Sequence, residues 1–128
     1  MSTSRFHPFF ASLSVASALV LFSGGCGGQK ESPPADPKKT AATLEGAFSN
    51  APSDVRTVVQ AAASALRENN PAGGFIALYG VSKDPSLTPE QQHATGEALA
   101  NSLKDLIKAA NSGDAQAEKT LKAYQARK

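Results

Sequence analysis

This chain of 128 residues has one cysteine, no tryptophan and a small net charge. Its single cysteine cannot form an internal disulfide, so no covalent cross-link compensates for a small core. The 13 basic and 11 acidic side chains leave a formal charge of only +2. Because nucleic-acid-binding proteins concentrate positive charge on one face, this balance disfavours that class, and no nucleic-acid partner is predicted.

Aromatic side chains are also few, and half of them lie in the first 22 residues. The sequence has two Tyr and six Phe, and only Phe48 and Phe75 of the six follow residue 22. Alanine fills much of the remainder, which favours helix and predicts a thin apolar core. The length allows one folded domain.

A hydrophobic run long enough to cross a membrane is lacking as well. The apolar segment from Phe9 to Phe22 has 14 residues, whereas a spanning helix needs about 20. It follows the basic residue Arg5 and precedes the small residues Gly24 and Gly25, an order typical of a secretory signal peptide. The lone cysteine, Cys26, comes directly after those glycines.

The stretch "LVLFSGGCGG", residues 19 to 28, resembles the lipobox that ends the signal peptide of bacterial lipoproteins. In that family a diacylglyceryl group joins the cysteine sulfur, a peptidase cuts before the cysteine, and the new amino group is usually acylated. The resemblance implies that cleavage follows Gly25 and that Cys26 becomes the lipidated first residue, anchoring the protein in the membrane. It also implies an orientation towards the periplasm or the outside. Gly27, which stands where enterobacterial inner-membrane lipoproteins carry Asp, favours the outer membrane over the inner one.

Two alternatives to lipidation remain open at this segment. Strong lipoboxes have Leu three residues before the cysteine, whereas this chain has Ser23. Ordinary cleavage after Ser23 or Gly25 would secrete the protein, and an uncleaved segment would act as a retained anchor. A cysteine buried in an N-terminal helix is disfavoured, because glycines flank Cys26 on both sides.

Residues 26–43 are predicted to be a lipid-anchored flexible linker. The stretch after Cys26 contains three Pro and three Lys with almost no bulky apolar side chain, so it cannot bury enough surface to offset the entropy of ordering. Its Pro-Pro pair favours extended polyproline conformation. We therefore divide the chain into a signal peptide (1–25), this linker (26–43) and a folded domain (44–128).

The folded domain has helical periodicity almost throughout. Apolar residues recur every three or four positions in 53–68 and 89–110, and more weakly in 72–85 and 114–127. Thr88, Pro89 and Gln91 form the clearest helix start, with the spacing of a capping box. The sequence predicts an all-α fold of about four helices arranged as two antiparallel hairpins, after a short helix or turn at Leu44, Ala47 and Phe48.

Helix ends at "ENNPAGG" and "AANSGDA" lie about 42 residues apart, which suggests a duplicated hairpin. The segments "NNPAGGFIALYGV" and "NSGDAQAEKTLKAY" loosely resemble the second helix of a tetratricopeptide unit, whose period is about 34 residues. The domain, over about residues 44–126, thus resembles small bacterial lipoproteins built from tetratricopeptide-like hairpins.

The segment 72–85 is the one for which a strand competes with a helix. Its Phe, Ile, Tyr and Val favour strands, but no partner strand is predicted elsewhere, and an isolated strand is not stable. A helix is therefore predicted, with Phe75, Ile76 and Tyr79 on its buried face. Because these three residues, with Leu78 and Val81, are more apolar than one helix face needs, they are also our candidate partner surface, although burial of all five in the core is the favoured interpretation.

No set of residues with catalytic or metal-binding spacing is found in the sequence. His93 has no second His, Cys or acidic cluster at ligand spacing, and Glu90 and Glu97 are typical of an exposed helix face. No serine lies in a G-x-S-x-G motif, and no glycine-rich stretch matches a phosphate loop. We predict no enzyme activity, no cofactor and no metal.

The sequence thus predicts a membrane-anchored envelope lipoprotein with a helical domain that binds another envelope protein. The main alternative is a structural or surface lipoprotein with no specific partner. A third hypothesis is self-association through the Ala-rich face from Val55 to Leu66. The oligomeric state itself is not predicted.

Overall fold

A computed structural model describes residues 35–127, which form five α-helices. They are α1 (Pro37–Ala47), α2 (Ser53–Arg67), α3 (Pro71–Val81), α4 (Pro89–Asn111) and α5 (Ala115–Gln125). No strand occurs within this described part of the chain, so the all-α prediction is confirmed and the strand alternative for α3 is wrong. These residues form five helices, whereas the sequence predicts about four after a short helix or turn at Leu44, Ala47 and Phe48.

The additional helix, α1, begins inside the segment predicted to be linker. The Asp36 carboxylate accepts a hydrogen bond from the amide of Lys38 at 2.9 Å, and Pro37 occupies the first helical position. Ala41, one turn later, is completely buried against Ala63 of α2. The linker prediction is therefore wrong for residues 37–43, because a capped helix start and one buried alanine outweigh a composition that by itself favours disorder.

Local capping accounts for where most of the helices start. Thr88 and Gln91 form the predicted capping box, in which the Gln91 amide donates to the Thr88 hydroxyl and the Thr88 amide donates to the Gln91 side chain. Gln91 also donates to the carbonyl oxygen of Ala47 at 3.3 Å, which joins the start of α4 to the end of α1. The same Gln91 side chain therefore both caps α4 and links it to α1, which is distant in the sequence.

The turns from α2 to α3 and from α4 to α5 have the same construction. Asn69 (φ 53°) and Gly113 (φ 92°) adopt left-handed backbone conformations just after the helix ends. The next residues, Asn70 and Asp114, donate their amides to carbonyl oxygens five residues earlier at 2.8 Å and 3.0 Å, which is the Schellman arrangement. The side chains of Asn70 and Asp114 then cap α3 and α5. Each turn therefore ends one helix and starts the next within three residues.

Four of the helices close a ring. α2 packs against α1 and α3, α3 packs against α4, and α4 returns to α1, while α5 packs on α3 and α4. The larger core cluster lies within this ring and includes Leu44, Phe48, Val59, Leu78, Val81, Leu87 and several alanines. The smaller cluster joins α3, α4 and α5 around Phe75, Leu106 and Ala117.

Burial agrees with the helical periodicity only in part. Among the apolar residues of α4, Leu106 is fully buried, but Ile107 is 41% exposed. Two polar residues of α4, Thr95 and Ser102, are buried instead, and their hydroxyls have no hydrogen-bond partner. On α2, Ala62, Ala63 and their buried neighbours are covered by α1 and α3 within the same chain, so that face is not free for the predicted self-association.

Candidate functional site

The residues predicted for cleavage and lipidation, Gly25 and Cys26, lie outside the described residues, as do 27–34 of the predicted linker. The anchor therefore remains a prediction from the sequence. What the structure describes is the domain that the anchor would hold, and two of its surface features are relevant to binding.

The first feature is on α3, where the three candidate partner residues have different environments. Phe75 is only 3% exposed and belongs to the core, as the core interpretation predicts, so it is not available to a partner. Tyr79 is half-buried, and Ile76 is 56% exposed. The sequence could not separate them because α3 is apolar on all sides, and only its contacts with neighbouring helices decide which side chains are covered.

Phe75 and Tyr79 are held in an aromatic cluster with Tyr124 of α5. Ring centroids lie 5.9 Å apart for Phe75–Tyr79, 5.1 Å for Phe75–Tyr124 and 5.7 Å for Tyr79–Tyr124, and the two pairs with Tyr124 are edge-to-face. This geometry is favourable for aromatic rings and joins α5 to α3. The Lys83 ammonium lies 4.8 Å from the centroid of the Tyr79 ring, within cation–π range.

Ile76, Tyr79 and Lys83 therefore form one outward ridge, which we call the α3 ridge. Ile76 and Tyr79 are three residues apart and lie on the same side of α3, and Lys83, which follows the end of the helix, places its ammonium over the Tyr79 ring. The ridge combines an exposed aliphatic side chain, a half-buried phenol and a lysine ammonium. Such a combination can bind an apolar side chain of a partner and a neighbouring acidic group.

The second feature is a cleft of about 350 Å³ beside the start of α1. Ala65 and Leu66 of α2 form one wall, together with the α2–α3 turn. The second half of α4 forms the other wall, through residues between Ser102 and Ser112. Ala35 and Pro37 also line it, so the described chain begins at its edge. The cleft arises because α4, with 23 residues, extends beyond α1, which has 11.

The cleft lining mixes small apolar groups with hydrogen-bonding side chains. Asn69 and Asn70 come from the α2–α3 turn, and Asp105 and Lys108 come from α4. Ser102 also lines the cleft; its hydroxyl is 3.2 Å from where a Cβ on Gly74 would lie, so α3 and α4 approach closely there. This arrangement can hold an extended segment that offers hydrogen-bond acceptors, whereas it lacks the clustered carboxylates and histidines of a metal site.

The clearest ion pair joins two helices, and neither of its residues lines the cleft or belongs to the α3 ridge. The Arg67 guanidinium donates to both oxygens of the Glu45 carboxylate, at 2.8 Å and 2.5 Å, and so joins α2 to α1. This hydrogen bonding lowers the pKa of Glu45 below its ordinary value of 4.5. On α5, a salt bridge with Lys122 likewise lowers the pKa of Glu118.

The residues considered above as candidate catalytic or metal-binding groups all lie on the surface of α4. His93, Glu90 and Glu97 are exposed, and none has an ion pair or side-chain hydrogen bond within the described part of the chain. Among residues 35–127, no group of three or more His, Cys, Asp or Glu side chains is placed to hold a metal ion. None of the five described helices is both long and apolar enough to span a membrane.

Comparisons with known proteins identify no relative of this chain. A scan against protein-family models, a search of curated proteins and a search of solved structures each found no match.

Proposed function

We propose that this protein is a membrane-anchored envelope lipoprotein whose small helical domain binds another envelope protein. The observation that carries the proposal is the "LVLFSGGCGG" segment, in which an apolar run, small residues and the lone Cys26 occur in the order of a lipoprotein signal peptide. A folded domain follows from Pro37, so ten residues separate the lipidated cysteine from the first helix.

Acyl chains on Cys26 would hold the domain at the membrane. Each buried methylene contributes about 0.8 kcal/mol, and two or more chains give stable anchoring where one gives only marginal binding. The segment 27–36 can span at most about 35 Å when fully extended, which keeps the domain within one domain diameter of the bilayer. Gly27 favours the outer membrane as the site of anchoring.

The α3 ridge supports the binding part of the proposal. Ile76 is the most exposed of the large apolar side chains in the described residues, and an apolar side chain beside a tyrosine is a common anchor at protein interfaces. Because Tyr79 is fixed by its contacts with Phe75 and Tyr124, a partner would meet a rigid surface. No catalytic step, metal or cofactor is assigned to the domain.

We also infer that α2–α3 and α4–α5 are two tetratricopeptide-like hairpins. The packing of α2 on α3 and of α4 on α5, and the matching turns at Asn69 and Gly113, support this view. α1 belongs to neither hairpin and packs on α2 and α4.

The alternative, a structural lipoprotein without a specific partner, is favoured by a different observation. Among residues 35–127, the exposed large apolar side chains are Val58, Ile76 and Ile107, one on each of three helices. Exposed apolar residues that occur singly are normal on monomeric proteins and need no partner.

Two measurements test the proposal separately. Replacing Cys26 by Ser should move the protein from the membrane fraction to the soluble fraction, and mass spectrometry of the native N-terminal peptide should detect the acyl chains. If the Ser variant stays with the membrane, or the native peptide carries no lipid, the anchor is contradicted.

The partner is tested by placing a photo-crosslinking amino acid at Ile76 in intact cells, with the same group at exposed His93 as the matched control. We expect one envelope protein, recovered in near-equal amount, from position 76 and not from position 93. An Ile76→Asp substitution should abolish its co-purification. Equal recovery from both positions, or recovery of this chain alone, would support the structural alternative instead.

A further inference from the structure

We propose that the cleft between α2 and α4 binds a small zwitterion, namely an α-amino acid or a dipeptide. Its volume of about 350 Å³ lies at the lower end of the range of small-molecule sites, about 300 to 1,000 Å³. Like most such sites, it combines an apolar wall, here Ala65 and Leu66, with a few polar side chains. None of the residues that line it belongs to the α3 ridge, so this site is separate from the proposed partner surface.

The floor of the cleft contains a hydroxyl group without a partner in the domain. Ser102 is completely buried, more so than any other described residue that lines the cleft, and its hydroxyl makes no hydrogen bond within residues 35–127. An unpaired buried hydroxyl costs about 1 to 3 kcal/mol. Because Ser102 lines a cleft, a bound molecule can supply the missing hydrogen bond.

Opposite charges lie next to each other on the α4 wall of the cleft. Asp105 and Lys108 are three residues apart on the helix, which places their Cβ atoms about 5 to 6 Å from each other. Both side chains are exposed, and within the described part of the chain neither forms an ion pair or a side-chain hydrogen bond. A simple cation or anion bound there would approach one like charge, which is unfavourable. A molecule with both an ammonium and a carboxylate pairs with both side chains.

The α2–α3 turn supplies neutral hydrogen-bond donors on the opposite wall. The Asn70 side-chain oxygen accepts from the amide of Gly73 at 2.9 Å, so its NH₂ group remains as a donor. Asn69 also lines the cleft, and its side chain has no hydrogen-bond partner among residues 35–127. These carboxamides can donate to the ligand's carboxylate or, in a dipeptide, to its peptide carbonyl. An apolar side chain of the ligand would then lie against Leu66.

The test is isothermal titration calorimetry of the full-length protein in detergent with L-leucine and with L-leucyl-L-alanine. N-acetyl-L-leucine lacks the ammonium and L-leucinamide lacks the carboxylate, while both keep the apolar side chain. We expect at least one of the two zwitterions to bind saturably, and about tenfold more tightly than either single-charge analogue. This ratio corresponds to about 1.4 kcal/mol.

Matched variants on α4 connect the binding to the cleft. Ser102→Ala and Lys108→Met should each weaken binding by about tenfold. Thr95→Val removes the other buried hydroxyl without a partner, and Lys104→Met removes an exposed lysine; neither residue lines the cleft, so binding should be unchanged. Ser102→Ala should be at least as stable as wild type because it removes an unpaired group, and circular dichroism in urea verifies this.

Three outcomes would overturn the proposal. They are no saturable binding of either zwitterion at millimolar concentration, equal affinity for the single-charge analogues, and an equal loss of affinity in the two control variants. The measurement is independent of acylation at Cys26 and of crosslinking at Ile76. Its failure would therefore leave the proposed anchor and the α3 ridge unchanged.

Discussion

Two helical glycines differ in the space beside them, and this difference gives a sharp test of the packing. Gly96 lies in the interior of α4, is exposed, and has no atom within 4 Å of where a Cβ would be. Gly74 lies in α3, and a Cβ there would be 3.2 Å from the Ser102 hydroxyl oxygen and 3.5 Å from Leu66 Cδ2. Alanine should therefore act differently at the two positions.

Replacing Gly96 by Ala should stabilise the domain by about 0.8 to 1 kcal/mol, because alanine loses less backbone entropy in a helix than glycine. For a domain of this size the unfolding midpoint should rise by about 4 to 8 °C per kcal/mol. Alanine at Gly74 would reduce the loss of backbone entropy by the same amount, but its Cβ would press against Ser102. Gly74→Ala should therefore give no net stabilisation.

The contact with Ser102 can be removed by a second substitution. The Ser102 hydroxyl is buried without a hydrogen-bond partner, which costs about 1 to 3 kcal/mol, so Ser102→Ala alone should be stabilising. The double variant Gly74→Ala/Ser102→Ala should be more stable than the two single effects predict, by at least about 0.5 kcal/mol.

Urea unfolding followed by circular dichroism measures all four variants. The free energies of unfolding are compared at a constant slope m, so that changes in the unfolded state are not mistaken for packing effects. If Gly74→Ala stabilises as much as Gly96→Ala, or if the double variant is simply additive, the close approach of α3 to Ser102 is contradicted.

Four further predictions follow from burial, capping and charge. Phe48→Ala should lower the free energy of unfolding by about 3 to 5 kcal/mol, because this side chain is 1% exposed in the core. Ile76→Ala on the α3 ridge should change it by less than about 0.5 kcal/mol, and a large effect would mean that Ile76 is buried. Thr88→Ala should cost about 1 kcal/mol through loss of the capping box, whereas equal stability of this variant in urea would contradict the observed cap. Glu45→Gln should remove a contribution present above pH 4.5, because the paired carboxylate has a lowered pKa. The difference in stability between wild type and this variant should therefore shrink as the pH falls below 4.5, and a difference that is independent of pH would refute the pairing with Arg67.

Helix positions are the part of this fold that the sequence alone could determine. The starts of α2 and α4, the end of α2 near Asn69 and the end of α4 near Gly113 were all predicted. They depend on groups within a few residues of one another: a capping side chain, a proline at the first position, or a residue that accepts positive φ. Such signals are local, so they can be recognised without knowing the rest of the fold.

The beginning of the domain was not predicted, although its local signal was present. Asp36 and Pro37 are a cap and a first helical residue, but the lysines and prolines around them have the composition of a linker. Only the burial of Ala41 against α2 shows why α1 is stable there. Short helices owe their stability to packing, and packing depends on residues distant in the sequence.

The tertiary structure also determined which side chains are exposed. α3 is apolar around its whole circumference, so its periodicity could not distinguish Phe75 in the core from Ile76 at the surface. α2, α4 and α5 together cover the buried side of α3, and the cleft exists because α1 is shorter than α4. The sequence by itself determined where this chain is helical, because capping and periodicity act over a few residues. The tertiary structure alone decided which side chains a partner can reach, because exposure depends on which helices meet.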